Sequence, residues 1–365
     1  AVTSYTYDNE NHLITITTDD GTTSFTYDKA GRVTAVADTE GNTETAGYDA
    51  DDNLTSVSDK ENRVTTYTYN ESGRLAEETA PNGAVTKYTY DANGNCTSIT
   101  DAEGNTTTYE YDENNHIIKE TDPLGNETVY SYDARGALSS VTDANGGTDQ
   151  YEYDGNGNIV KIINPLGDAA CYTYDSQNRL TAITDEENNT QTRTYDAAGN
   201  IVSYTDANGN CWEYRYDALN RLIQTADADG KAITVEYTKT SRIAKVTDTE
   251  GAETSYSYDT MGRLLEITDA LGHKTAFGYD RLGRMISQTD ENGNTTKYSY
   301  SPTGNITSMK NPEGGTALYT YNELGRMQSA TDALGNTIEY QYDKLGQVVS
   351  LTDSMGAQTA FTYNK

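Results

Sequence analysis

Few residues of this 365-residue chain could do covalent chemistry. It has three histidines, His12, His116 and His273, and three cysteines, Cys96, Cys171 and Cys211. No two of them stand at the short spacing that a zinc site or a catalytic pair requires. Ser and Thr are abundant, but without a His partner none becomes a nucleophile. The sequence therefore nominates no catalytic residue, no cofactor site and no metal site. Two acidic stretches, Asp206-Ala207-Asn208-Gly209-Asn210 and Asp227-Ala228-Asp229-Gly230, look like calcium loops. A helix-flanked calcium loop needs Gly at its sixth position and Glu at its twelfth, whereas here Gly comes fourth and the Glu is missing. The expectation is that each Asp accepts backbone N–H bonds and starts a tight turn.

Composition narrows the field further. The formal net charge of −31 repels phosphate, so nucleic acid is excluded as a partner. No run of about 18 apolar residues exists, so no membrane-spanning helix is expected. The opening AVTSYTYDNE has no basic or apolar stretch and no initiator Met, which points to an excised piece or a mature product. Leu, Ile, Val and Phe make up only about 14% of the chain, a level typical of disorder, yet there are 31 Tyr. Tyr rings bury large areas, so any core is built from Tyr.

Self-similarity gives the organisation. From Tyr27 to Tyr363 a Tyr recurs every 21 residues, as at Tyr90, Tyr111, Tyr132 and Tyr153. With that Tyr as position 0, position −2 is again Tyr in most units, including Tyr109, Tyr130 and Tyr151. Spacing by two puts both rings on one face of a strand, and the preceding β-formers extend it, as in Thr107-x-Tyr109-x-Tyr111. Positions +4 and +14 are Gly with Asn as the main substitute, the signature of positive φ; Gly104, Gly125, Gly146, Gly262 and Gly272 are such turn glycines. A second strand runs between the turns, from an aliphatic residue at +6 to Thr-Asp at +10 and +11. Apolar residues at +6, +7 and +9 break alternation, which leaves a bulge or a turn-proximal residue at +6 as open readings.

The result is an all-β array of about 17 hairpins, one repeat array over 1–365 with no second domain. A hairpin this small cannot bury its own Tyr face, so neighbours must stack, and a sheet this wide must twist and coil. Arg at +5, as at Arg32, Arg179 and Arg284, is expected to form an Arg–Asp ladder between adjacent turns. Position −2 loses its aromatic at Ala46, Arg193 and Val235. Near Arg193, Tyr204 and Trp212 add rings where no other unit has one. Together with Tyr214 they are the candidate ligand-binding residues, a platform for a sugar; the alternative has Arg193 stacked on Tyr172 and Tyr214, with Trp212 filling space.

The unit Tyr-Asp-x-x-Gly-Arg-Leu followed by Thr-Asp-x-x-Gly-Asn and Tyr-x-Tyr-Asp resembles the RHS or YD-repeat family. It stands almost intact at 258–280, YDTMGRLLEITDALGHKTAFGYD, and at 321–343, YNELGRMQSATDALGNTIEYQYD. That family includes bacterial RHS and wall-associated proteins, the cocoon component of insecticidal toxin complexes, and animal teneurins. The resemblance implies a spiralling sheet that closes into a hollow, non-catalytic shell, often enclosing a toxic C-terminal segment. It also implies an extracellular or cell-surface location. The self-cleaving core of the toxin members has no counterpart here, since Asp122-Pro123-Leu124-Gly125 falls in register as an ordinary second turn. The expected partners are flanking segments of the same polypeptide or an enclosed toxin cargo, with homo-assembly through uncapped sheet edges as a filament or tube, and glycan binding or adhesion, as alternatives.

Overall fold

The computed structural model describes residues 2–363. It contains 35 β-strands, from β1 (Ser4–Tyr7) to β35 (Gln358–Ala360), and no helix among the described residues. The chain forms two compact units. Unit 1 comprises Ala1–Thr106, Ser257–Ile267 and His273–Lys365; unit 2 comprises Thr107–Tyr256 and Thr268–Gly272. Within each, strands pair antiparallel with their neighbours in chain order, for example β3 (Gly21–Tyr27), β4 (Val33–Ala37) and β5 (Thr43–Tyr48) in unit 1. In unit 2 the same holds for β14 (Leu138–Thr142), β15 (Thr148–Tyr153) and β16 (Ile159–Ile163).

Each repeat contributes one long and one short strand, joined by two turns of the same construction. In the first, the Gly31 N–H bonds the Asp28 carbonyl at 3.1 Å and the Asp28 N–H bonds the Arg32 carbonyl at 3.0 Å. In the second, Asp38, Gly41 and Asn42 repeat the pattern at 3.0 and 2.9 Å. The closing residue is left-handed, with φ of 82° at Gly31 and 87° at Gly41. This is a type I turn followed by a left-handed residue, as the Gly and Asn positions imply.

The open question at +6 resolves as a bulge. Tyr27 faces Val33 while Thr26 faces Ala35, so Thr34 is the extra residue. The same shift recurs between Glu152 and Tyr153 opposite β16. A bulge strengthens twist, and it explains the irregular apolar spacing at +6, +7 and +9.

Alternation gives each strand two unlike faces. Positions −4, −2 and 0 on the long strand are half-buried, as in Thr65, Tyr67 and Tyr69, while Val64, Thr66 and Thr68 between them are exposed. The second face carries hydroxyls and ion pairs, such as Thr89–Ser98 at 2.6 Å and Lys245 with Glu236 at 2.7 Å and Glu253 at 2.9 Å. No hydrophobic side chain among the described residues is fully buried, and the one buried residue is Ser350, at 5% exposure. The units are therefore a single layer of sheet.

Candidate functional site

The turn Asp side chains build the framework. Asp28 Oδ1 accepts the N–H groups of Ala30 and Arg32 at 2.9 and 3.0 Å, and its Oδ2 accepts Arg32 Nε at 2.8 Å. Asp206, in one of the calcium-like stretches, does the same with the N–H groups of Asn208 and Asn210 and with the Asn210 amide. Asp122 of the Asp-Pro-Leu-Gly turn takes the N–H groups of Leu124 and Asn126, both at 2.8 Å. These bonds favour the charged carboxylate. Asp28 is held below the ordinary Asp range first by the Arg32 guanidinium, Asp206 by the Asn210 amide, and Asp175 by the Arg179 N–H.

The +5 residue reaches the next repeat, at Arg32 through the expected Arg–Asp contact between turns, Nη1 to Asp52 Oδ1 at 2.6 Å. The Arg–Asp contacts close mostly within one turn, Arg32 on Asp28 and Arg179 on Asp175, because the Asp is only four residues back. Between turns, Arg32 Nη1 donates to the Asp49 carbonyl at 3.0 Å and Arg179 Nη1 to the Asp196 carbonyl at 2.9 Å. Each guanidinium also lies over the next repeat Tyr, 4.7 Å from the Tyr48 centroid and 4.6 Å from that of Tyr195. His12 and His116 fill the same role. Each holds its own turn Asp at 3.0 Å and stacks on Tyr27 or Tyr132, at 4.8 and 4.6 Å. His273 lies 3.5 Å from Glu291.

A contact between +5 and the next +4 emerges here that reading the positions singly misses. Arg74 packs against Gly94 so closely that a Cβ there would collide with its guanidinium. Where +5 is the shorter Asn, the next +4 is Asn in three of five cases, and two of these side chains meet at 3.0–3.1 Å, Asn158 with Asn178 and Asn200 with Asn220, while Arg32 and Arg221 bond a polar +4 residue, Asp52 at 2.6 Å and Ser241 at 3.1 Å. The signal was present as covariation between repeats.

The repeat Tyr ties neighbouring repeats together. Tyr153 Oη donates to the Leu138 carbonyl at 2.8 Å, Tyr132 to Ile117 at 2.8 Å, and Tyr90 to Leu75 at 2.9 Å. The acceptor is always the +6 residue of the preceding unit. That carbonyl lies beyond the three-residue ladder to the next strand, as Leu138 does beyond Ser140–Gln150, so the phenol supplies the missing partner. Tyr111 is half-buried at the same position, and Tyr109, Tyr130 and Tyr151 at −2 are half-buried on the same face. Tyr130 Oη is 3.4 Å from Glu120. At Ala46 the missing ring leaves an apolar hollow of about 370 Å³ lined by Val33, Val36, Ala46 and Val57.

The platform residues come together in unit 2 on β19 (Thr190–Tyr195), β20 (Ile201–Thr205) and β21 (Cys211–Tyr216). Arg193 faces Tyr204, and Tyr204 faces Trp212. The Tyr204 and Trp212 rings stack at 5.7 Å, and the Arg193 guanidinium is 5.6 Å from the Tyr204 centroid. Arg193 thus lies on Tyr204, the ring directly opposite it in register, and not on Tyr172 and Tyr214 as the alternative expects. Tyr214 follows Trp212 on the same face, opposite Thr225. The turn glycines Gly104, Gly125, Gly146, Gly262 and Gly272 all have positive φ.

Inside unit 1, turns from opposite strand ends also meet. Arg263 approaches Asp20 at 3.3 Å, Arg284 approaches Glu40 at 3.2 Å, and Thr303 Oγ1 donates to Glu61 at 2.8 Å. These separations of 242–244 residues are eleven and a half repeats, so the first turn of a late unit meets the second turn of an early one.

A single-layer antiparallel repeat sheet, tied by Tyr phenols and Asp turns, defines a structural repeat protein. The RHS repeat model matches residues 7–43, 195–232, 237–275, 262–295, 279–316, 300–337 and 321–354, more than half of the chain, and the teneurin YD-shell model matches 53–185. The chain belongs to the RHS repeat family, whose repeats build a structural shell. No curated relative matches the sequence. Among solved structures, the TcdB2-TccC3-Cdc42 crystal structure is similar with a TM-score of 0.81 at 15% identity, covering 96% of this chain and 23% of that one. The Tc holotoxin pore of Photorhabdus luminescens with the TccC3-D651A mutation is similar at a TM-score of 0.80, 15% identity and the same coverages. The chain thus spans about a quarter of the length of these structures, and the likeness is one of fold.

Proposed function

We propose that this chain is a non-catalytic wall segment of a secreted or surface-exposed bacterial shell that encloses a polypeptide cargo, and that its repeats act as one array. The observation that carries the reading is the recurrence in unit 1 of contacts between turns 242–244 residues apart, which tie late repeats to early ones. The family and fold likeness supply the shell. A toxin is the cargo suggested by the toxin-complex neighbours.

The test is protease protection in the full gene product. A segment encoded beside this array should resist trypsin when joined to it and be digested when made alone. Digestion at equal rates in both forms would count against enclosure, and hydrolase or transferase activity in the purified chain would count against a purely structural wall.

A further inference from the structure

Position −2 carries Tyr or Phe in 15 of its 18 occurrences, and Ala46 is the smallest of the three exceptions. Its methyl group leaves the hollow of about 370 Å³ in unit 1, over β4, β5 and β6 (Leu54–Ser58). Val57 faces Ala46 in register, and Val33 and Val36 border the hollow from β4. The neighbours do not make up the lost bulk, since +6 is Leu, Ile or Met in most units and Val33 is shorter. An open apolar recess thus stands where Phe25 and Tyr67 supply an aromatic ring in the flanking units.

The second observation is the charge at its edge. Position −4, most often Thr, is here Glu44, which faces Val36 in register, lines the hollow and is exposed. Among the described residues no ion pair or hydrogen bond engages its carboxylate. The other charges close by are committed. Asp59, which also lines the hollow, accepts Arg63 Nε at 2.6 Å, and the adjacent Lys60 is held by Asp38 at 3.0 Å. The hollow therefore offers an apolar seat for one ring with one free negative charge beside it.

We propose that the hollow at Ala46 binds an arylalkylamine, a small molecule with one aromatic ring and a protonated amine on a short chain. The ring takes the place of the missing −2 side chain and removes apolar area on Val33, Val36 and Val57 from water. The ammonium meets the Glu44 carboxylate in a charge-assisted hydrogen bond. A ring bearing a carboxylate is repelled by Glu44 and by the net charge of −31, and a neutral ring leaves Glu44 unpaired. At about 370 Å³ the hollow lies near the small end of ligand sites, which suits one ring better than a fused polycycle.

The probe is phenethylamine, titrated with the whole chain and followed by the broadening of its ring-proton NMR signals. Phenethyl alcohol, phenylacetate and butylamine are the comparisons. A ligand of this size at an open site should bind with a Kd on the order of 1 mM. The alcohol should bind about three- to fivefold more weakly, as loss of a part-exposed ion pair implies, and phenylacetate and butylamine more weakly still. Glu44→Gln should bring the amine to the affinity of the alcohol and leave the alcohol unchanged. Ala46→Tyr restores the residue that most repeats carry and should abolish binding of both, with its fold checked by circular dichroism. No saturable broadening up to about 10 mM phenethylamine overturns the proposal, as does equal binding in Ala46→Tyr or in Glu44→Gln. Equal affinity for butylamine would mean attraction to the net charge alone and overturns it too. Dimerisation that is lost in Ala46→Tyr, read by sedimentation, would assign the hollow to a second copy of the chain and overturn the small molecule.

Discussion

Replacing Tyr153 by Phe removes one hydroxyl and nothing else. The Tyr153 phenol donates to the Leu138 carbonyl at 2.8 Å, and that carbonyl lies past the end of its ladder. A net hydrogen bond of this kind contributes about 0.5–1.5 kcal/mol, so local opening should become roughly 2- to 13-fold more frequent. Tyr151, two residues earlier on the same face, makes no such main-chain bond among the described residues, and Tyr151→Phe should shift opening little. The assay is hydrogen exchange followed by mass spectrometry on the peptide covering 138–153, because an array of repeats can open locally and a single melting temperature would blur the effect. Equal exchange in the two variants would refute the view that the repeat Tyr acts through its phenol; a larger effect in Tyr151→Phe would locate the stabilisation in the −2 ring.

Other expectations follow from the same geometry. Asp28, Asp91, Asp175 and Asp206 are held below the ordinary Asp range, so their contribution is complete above about pH 4 and is lost as pH falls through their lowered values; circular dichroism should show unfolding below about pH 4, and a transition near pH 6 would contradict this. Gly94→Asn should destabilise by about 1–2 kcal/mol by meeting the Arg74 guanidinium, and adding Arg74→Asn should recover most of it, read by urea unfolding. Ala46→Tyr should fill the hollow beside Val36 and Val57 and raise stability by about 1 kcal/mol; a loss of stability would show that the gap is needed. Glu40→Gln breaks a part-exposed contact with Arg284 and should cost less than about 1 kcal/mol, with an effect that fades as salt rises.

Most of this architecture was legible because the repeat samples each position many times. The left-handed sites at Gly31 and Gly41, the shared face of Tyr67 and Tyr69, and the turn role of Asp206 all follow from local rules that act within a few residues. What was hidden depends on register. The fate of the Leu138 carbonyl needs the bulge opposite Tyr153, and alternation alone does not choose between a bulge and a turn residue. The Arg179 guanidinium holds its own turn Asp and the next turn's carbonyl, a choice set by reach. The meeting of Arg284 with Glu40 joins turns 244 residues apart, which no local pattern encodes. At the platform, the three unusual residues were visible one by one; the register made them neighbours.

A sheet one side chain thick carries two messages on the same strand. In β7 (Val64–Tyr69), Thr65, Tyr67 and Tyr69 answer to neighbouring repeats, while Val64, Thr66 and Thr68 answer to the medium on the other side. No interior lies between the two sets to transmit a misfit from one to the other. Alternate residues of each long strand can therefore drift under separate selection. Such a wall can change what it shows to its surroundings, hydroxyl for charge or charge for hydroxyl, without disturbing the side that keeps its courses in step.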